Sequence, residues 1–262
     1  MTMHSQTEMP AYSTTELLSV MCARAMSDEQ IIFAGVGVPL LGATVAQQMH
    51  APSLTILFEG GIIGPFIRPG RLPSSTNEMR TAEKANMLLS PTDVLALLQR
   101  GYVDIGFIGG AQIDQFANVN SSYIGPYSAP KTRLPGTGGG NDIASLSDTI
   151  IIMPHTKQRF VEKVDFITSP GYCDGGTSRR DSGLIAGGVK SVITNLCTFE
   201  CNAPENVLTV TALNPGVSCK DVLDNMGFRP EFSDNLTQNA PPTEEELNIL
   251  RRLDPEKIYI GK

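Results

Sequence analysis

The chain has 262 residues, 41% of them apolar and 18% charged, with a formal net charge of −7 and a pI near 5.0. That length and apolar content sustain a sizeable core and exclude a disordered chain. The acidic balance argues against a nucleic-acid-binding surface, though not against an anionic ligand held by a local cation cluster or by backbone N–H groups. No window approaches the roughly 18 uninterrupted apolar residues of a membrane span. The polar start over residues 1–12 lacks a secretory pattern, and five scattered cysteines (Cys22, Cys173, Cys197, Cys201 and Cys219) fit a reduced cytoplasmic chain.

In chain order, residues 13–27 read as a helix capped by Ser13 or Thr14, with Leu17, Leu18, Met21, Cys22 and Ala25 at helical spacing. The apolar run 31–34 is stopped by Gly35-Val36-Gly37-Val38-Pro39 and reads as a buried strand; residues 40–49 follow as a helix and 54–58 as a second strand. Strand, glycine loop, helix and strand in succession predict a parallel sheet with crossover helices. The alternation continues with a helix over 92–99, capped by Ser90 or Thr92 with Pro91 near its first turn, and a strand over 103–108. Further strands are expected at 149–153 and 207–213, with shorter strand-like runs at 160–168 and 191–196. From Asn225 the chain turns polar, with Pro230, Pro241 and Pro242 and an acidic helical patch over 243–253. This stretch reads as a C-terminal arm on a single domain spanning 1–262, packed on the domain or on a partner. The fold class is α/β, an open, mostly parallel sheet with flanking helices.

Glu59 directly follows the second strand and precedes Gly60-Gly61. In an open parallel sheet, ligands bind beyond the C-terminal strand ends, and a glutamate of ordinary pKa is ionised at neutral pH and attacks without a general base. On position alone, a solvated loop glutamate or a helix-capping acid is the stronger reading of Glu59. Gly136-Thr137-Gly138-Gly139-Gly140-Asn141-Asp142 can turn backbone N–H groups toward an oxyanion, or form a plain surface turn. It is not a P-loop, because no Lys-Ser/Thr pair follows, and the 35–39 loop is not a dinucleotide fingerprint. In Phe107-Ile108-Gly109-Gly110-Ala111-Gln112-Ile113-Asp114 and Asn118-Val119-Asn120, the amides of Gln112 and Asn120 are candidate carbonyl donors, while Asp114 and Asn118 suit a turn. Histidine chemistry has little to work with: His4, His50 and His155 are the only histidines and none lies in a metal or dyad motif. Cys197 and Cys201 lack the second pair that a zinc site needs. Arg179-Arg180 and Lys131/Arg133 could meet phosphates or simply be solvated.

Taken in order, Gly-Val-Gly-Val-Pro, strand–Glu–Gly, Gly-Gly-Ala-Gln-Ile-Asp, Gly-Thr-Gly-Gly-Gly-Asn-Asp and Thr168-Ser169-Pro170-Gly171 resemble the family I CoA-transferases, in particular the B (beta) subunits of the glutaconate branch. The resemblance runs over about residues 14–225, is most specific over 108–142 and includes Lys131-Thr132-Arg133. It implies an open α/β sheet of the CoA-transferase (NagB/RpiA-like) type and an active site shared with an A (alpha) subunit.

The resemblance also implies that Glu59 attacks an acyl-CoA, that the released thiolate converts the resulting anhydride to a glutamyl-CoA thioester, and that a second carboxylic acid then takes the CoA. Gly138, Gly139 and Gly140 match the loop beside the active site, and Gly60, Gly61, Gln112 and Asn120 are acyl-pocket candidates. Coenzyme A is substrate and covalent intermediate, with no permanently bound cofactor and no metal. Nucleic acid and membrane are not expected partners. Phe58-Glu59-Gly60-Gly61 departs from the family's Ser-Glu-Asn-Gly or Glu-Ser-Gly, and the added glycine is expected to loosen the loop. The alternative is a subunit of an acyl-CoA decarboxylase or CoA-dependent ring-opening hydrolase on the same scaffold; such relatives typically lack the glutamate.

Overall fold

The computed structural model describes residues 12–261; the polar start before residue 12, with His4, lies outside the described residues. The first half runs α1 (Thr14–Arg24), β1 (Ile31–Phe33), α2 (Val38–Met49), β2 (Thr55–Phe58), β3 (Ile62–Ile63), β4 (Met87–Leu88), α3 (Pro91–Gln99) and β5 (Ile105–Ile108). Two small hairpins follow, β6 (Gln112–Ile113) with β7 (Val119–Asn120) and β8 (Tyr123–Ile124) with β9 (Thr132–Arg133). Then come α4 (Gly140–Leu146), β10 (Asp148–Ile152), α5 (Ser178–Asp181), β11 (Gly188–Ile193), β12 (Cys197–Asn202), β13 (Val207–Leu213), α6 (Cys219–Asp224), β14 (Glu231–Gln238) and α7 (Glu244–Leu253). No described helix is long and apolar enough to cross a membrane.

Ten strands form one sheet in the order β14-β13-β12-β11-β10-β5-β1-β2-β3-β4. The centre, from β11 through β10, β5 and β1 to β2, is parallel; β3–β4 on one side and β12–β13 on the other are antiparallel, and β14 runs parallel to β13. The side-chain period of two sorts the central strands between two cores. Ile32, Ile56 and Phe58 pack with α1, α2 and α7, whereas Phe33 and Leu57 pack with Val94 and Leu98 of α3 and Ile143 of α4. Strands buried on both faces read as continuous apolar runs, which is why β1 and β2 are visible in the sequence. The chain leaves β1 through α2 to β2 on one side, then returns past α3 to β5 on the other side of β1. Here the connections diverge, and a crevice opens beyond the strand ends.

Three expectations change. The run 160–168 is not a strand: Phe160 makes one isolated bridge to Ile113 and is fully buried, but Glu162 and Lys163 stay exposed, so only single side chains dip into the core. The run 191–196 is the end of β11 and the turn into β12, closed by the Thr194 N–H donating to Cys197 O at 3.0 Å. The polar arm contains the eight-residue strand β14, whose residues are all exposed or half-exposed. Only Phe232 and Leu236 lean on the core beside β13, the other residues staying at the surface, and the exposed Glu231 and Asp234 discourage further pairing.

The arm then closes on the first helix. Ser13 and Thr243 each begin a capping box completed by Glu16 and Glu246. Arg251, near the end of α7, reaches Glu16 at 2.7 Å, and Arg24, at the end of α1, reaches Glu246 at 2.7 Å. Each box glutamate therefore serves its own helix start and the other helix's end.

Beyond β10, His155 stacks on Phe160 at 4.3 Å and lies 5.7 Å from Phe199; it is 3% exposed, with Nδ1 beside Thr194 Oγ1. Burial pushes its pKa down to about 4. The unfolded chain takes up this proton below about 6.5 and the folded chain only near 4, so stability is full above that window and falls as pH drops through it. The loss is on the order of 3 kcal/mol. Denaturant unfolding between pH 7 and 4.5 should show a flatter acid limb in His155→Phe than in the wild type; parallel limbs would contradict this.

Candidate active site

Glu59 stands at the first position past β2, half-buried, with its carboxylate aimed across the crevice at the start of α4. The Gly139 N–H donates to Glu59 Oε1 at 3.1 Å. This approach excludes side chains: a Cβ on Gly139 would lie 2.8 Å from Oε1 and 3.2 Å from Leu95 Cδ2. Gly138 has φ +55°, and a Cβ there would crowd Oε2 at 3.4 Å. The Gly140 N–H is taken by Thr137 O at 3.0 Å, and a Cβ at Gly140 would strike Thr137 Oγ1 at 2.0 Å. The loop thus folds on itself and spends one N–H on the glutamate.

Glu59 borders two recesses. One, of about 280 Å³, lies between the ends of β1 (Phe33, Ala34, Gly35) and β5 (Phe107, Ile108, Gly109), with Thr76, Ser121, Gly136, Thr137 and Gly140 around it. The other, of about 380 Å³, is formed with Gly60, Asn77, Pro91, Leu95 and Gly139. Behind the glycine loop, Asn141 Nδ2 donates to Thr168 O at 2.9 Å, and the Thr137 and Ser169 hydroxyls lie 3.4 Å apart.

The match to known proteins agrees with this arrangement: residues 15–225 fit the family described as Coenzyme A transferase. The chain belongs to the coenzyme A transferase family. It is 39% identical to the B subunit of 3-oxoadipate CoA-transferase from Pseudomonas knackmussii, over 94% of this chain and 95% of that one. It is 35% identical to the B subunit of glutaconate CoA-transferase from Acidaminococcus fermentans, over 95% of each. The crystal structure of the Acidaminococcus fermentans glutaconate enzyme superposes with a TM-score of 0.89 at 33% identity, covering 95% of this chain and 97% of that one. The decarboxylase AibA/AibB shares the fold, with a TM-score of 0.82 at 22% identity over 96% of this chain and 100% of that one.

Within this transferase-family chain, the structure brings Glu59, Gly60 and the glycine loop together but leaves two acyl-pocket candidates outside. Gln112 and Asn120 face each other across β6–β7, where Asn120 Nδ2 donates to Gln112 Oε1 at 2.7 Å and Gln112 Nε2 to Asp165 at 3.0 Å. Both are buried in that network, and neither lines a recess beside Glu59. Asp114 accepts from the backbone of Phe116 and from Asn118, and burial raises its pKa.

Gly60-Gly61 is not loose. A Cβ at Gly60 would lie 2.7 Å from Thr76 O, and one at Gly61, where φ is +97°, 2.0 Å from Leu89 O. The glycines admit the neighbouring chain. Thr76, Asn77 and Ser121 escape the sequence reading because only this packing brings them to Glu59.

Arg179 is also not a phosphate ligand. It is 5% exposed and donates to the carbonyls of Pro170, Gly171, Ala144 and Ala186; desolvation lowers its pKa. The guanidinium ties α4 to the loop behind it.

Gly139→Ala tests the contact directly. Gly139 has φ −72°, which alanine adopts freely, and the tightest neighbour is the movable end of Glu59. The variant should melt close to the wild type yet lose about 100-fold in kcat through displacement of the carboxylate. Unchanged turnover would show that the contact is incidental.

Proposed function

We propose that this chain is the B (beta) component of a CoA-transferase in which Glu59 is the nucleophile, and that a separate A (alpha) component completes the site. The carrying observation is the Glu59 carboxylate at the switch-point crevice, with one oxygen held by the Gly139 N–H and open space on both sides.

The two oxygens have different parts. Oε2, beside side-chain-free Gly138, attacks the thioester carbonyl carbon; the C–S bond breaks and CoA leaves as thiolate, giving an acyl-glutamyl anhydride. The thiolate then adds to Glu59 Cδ, the bond from Cδ to Oε2 breaks, and the first acid departs as carboxylate with Oε2. Glu59 is left as a CoA thioester. During this addition charge gathers on Oε1, the atom the Gly139 N–H already holds. A second carboxylate reverses the steps and leaves as its CoA thioester.

The names of the two relatives favour short dicarboxylic acids as substrates. Met79, Met87 and Leu88 are 85%, 58% and 64% exposed on the segment packed over Gly60-Gly61 and offer an apolar face for the alpha component.

The assembled heteromer, incubated with an acyl-CoA and then reduced with borohydride, should carry a modified residue at Glu59 in peptide mass spectra. Glu59→Gln should lose at least about a thousand-fold in kcat and show no such peptide. Undiminished turnover in Glu59→Ala would sink the reading. Release of CO2 or a ring-opened product without any acceptor acid would assign the site to a lyase or hydrolase instead.

A further inference from the structure

The β8–β9 hairpin begins at the rim of the Glu59 cavity. Its base is pinned where the Gly136 N–H donates to Ser121 O at 2.9 Å and the Leu134 N–H to Ser122 O at 3.0 Å. Ser121 and Gly136 both line the cavity. Next outward, Tyr123 pairs with Arg133. The Arg133 guanidinium lies 5.7 Å from the Tyr123 ring centre and 5.5 Å from that of Tyr127. The two rings meet edge to face at 5.6 Å, and Phe166 flanks Tyr123 at 5.3 Å. Tyr123 is buried, but Tyr127 is 70% exposed and Phe166 45%.

Lys131 and Arg133 are exposed, and among the described residues neither forms an ion pair. Asp165, which touches the hairpin, is engaged by the Gly125 N–H and Gln112 Nε2. A chain of net charge −7 therefore keeps two such cations beside its active-site crevice.

A guanidinium held over aromatic rings keeps its planar donors oriented, so it loses little freedom when it meets a phosphate. An exposed ring on the same hairpin offers a stacking face to a purine. A carboxylate would use only the cations, whereas a phosphorylated purine nucleoside uses cations and ring together. The geometry points to the β8–β9 hairpin as the subsite for the adenosine 3′,5′-diphosphate end of CoA, with Arg133 and Lys131 at phosphates, Tyr127 against adenine, and the pantetheine arm crossing the Ser121–Gly136 rim toward Glu59. This rests on Glu59 handling CoA thioesters, and it adds the surface that grips the part of CoA remote from the reaction.

The test is titration calorimetry of the assembled heteromer with CoA, adenosine 3′,5′-diphosphate and pantetheine. Arg133→Met should weaken CoA and the diphosphate about ten-fold, the size of one lost charge-assisted contact, and leave pantetheine unchanged. Tyr127→Ala should weaken the same two ligands and again spare pantetheine. Wild-type affinity for CoA in both variants, or equal weakening of CoA and pantetheine, would overturn the assignment. The outcomes also separate the two readings. Hairpin-dependent CoA binding without a Glu59 adduct keeps the subsite and removes the transferase chemistry. A Glu59 adduct with hairpin-independent CoA binding does the reverse.

Discussion

The candidate active-site crevice is organised around the contact between Glu59 Oε1 and the Gly139 N–H, made by residues 80 positions apart. At Gly139 the Cβ direction points at the carboxylate itself, 2.8 Å from Oε1, so the donor there has to be side-chain-free for Glu59 to keep its place. Its position is set by α4, which lies directly on β5: a Cβ at Gly106 would come within 2.0 Å of Ile143 Cγ2. Glycine in β5 thus lets α4 settle low enough for glycine at its start to reach the end of β2. Two unremarkable small residues fix a distance that no single motif encodes.

What keeps α4 there is unusual in its chemistry. Arg179 is a charge in the interior with four carbonyl partners rather than a carboxylate. A buried cation is costly unless its donors are met, and here they are met by backbone from α4, from 170–171 and from Ala186, with Nε alone lacking a partner. Neutralising that charge would free three segments at once, including the loop whose Thr168 and Ser169 back the glycine turn. The reach of the clamp explains how a residue remote from Glu59 bears on the carboxylate's surroundings.

The parallel half of the sheet was legible because burial on both faces forces apolar runs, and because Gly35 and Glu59 mark where those runs stop. β14 was not, since only Phe232 and Leu236 of its eight residues lean on the core and the rest stay at the surface, too sparse an apolar pattern to read as a strand. The run 160–168 misled for the opposite reason: Phe160 is core, but through its ring stack with His155 rather than through a ladder. In the site, Glu59 and the glycine loop carry local signatures. Gln112 and Asn120 carried an equally good one, and their amides turned out to satisfy each other. Sequence shows that an amide is present, but only packing decides whether its hydrogen bonds are already used. The same holds for Gly60-Gly61, where added glycine suggested slack and the fold used it for close contact.

The position of Glu59 between two recesses bears on the proposed chemistry. A group that must be acylated, exchange its acyl partner for CoA and then meet a second acid needs access for departing acid and incoming thiolate without releasing the carboxylate. The Gly139 N–H fixes one oxygen, while the smaller recess, bounded by the Ser121 and Thr137 hydroxyls, and the larger one, bounded by Leu95 and Pro91, lie on its two sides. The polar recess is contiguous with the base of the β8–β9 hairpin through Ser121 and Gly136, the side from which the thiol end of CoA would come on the proposed hairpin subsite. The proposal then leaves the apolar recess, with Pro91 and Leu95 in its wall, for the acyl chain. If, as proposed, an alpha component completes the site beside this recess, acyl specificity is a property of the assembled pair.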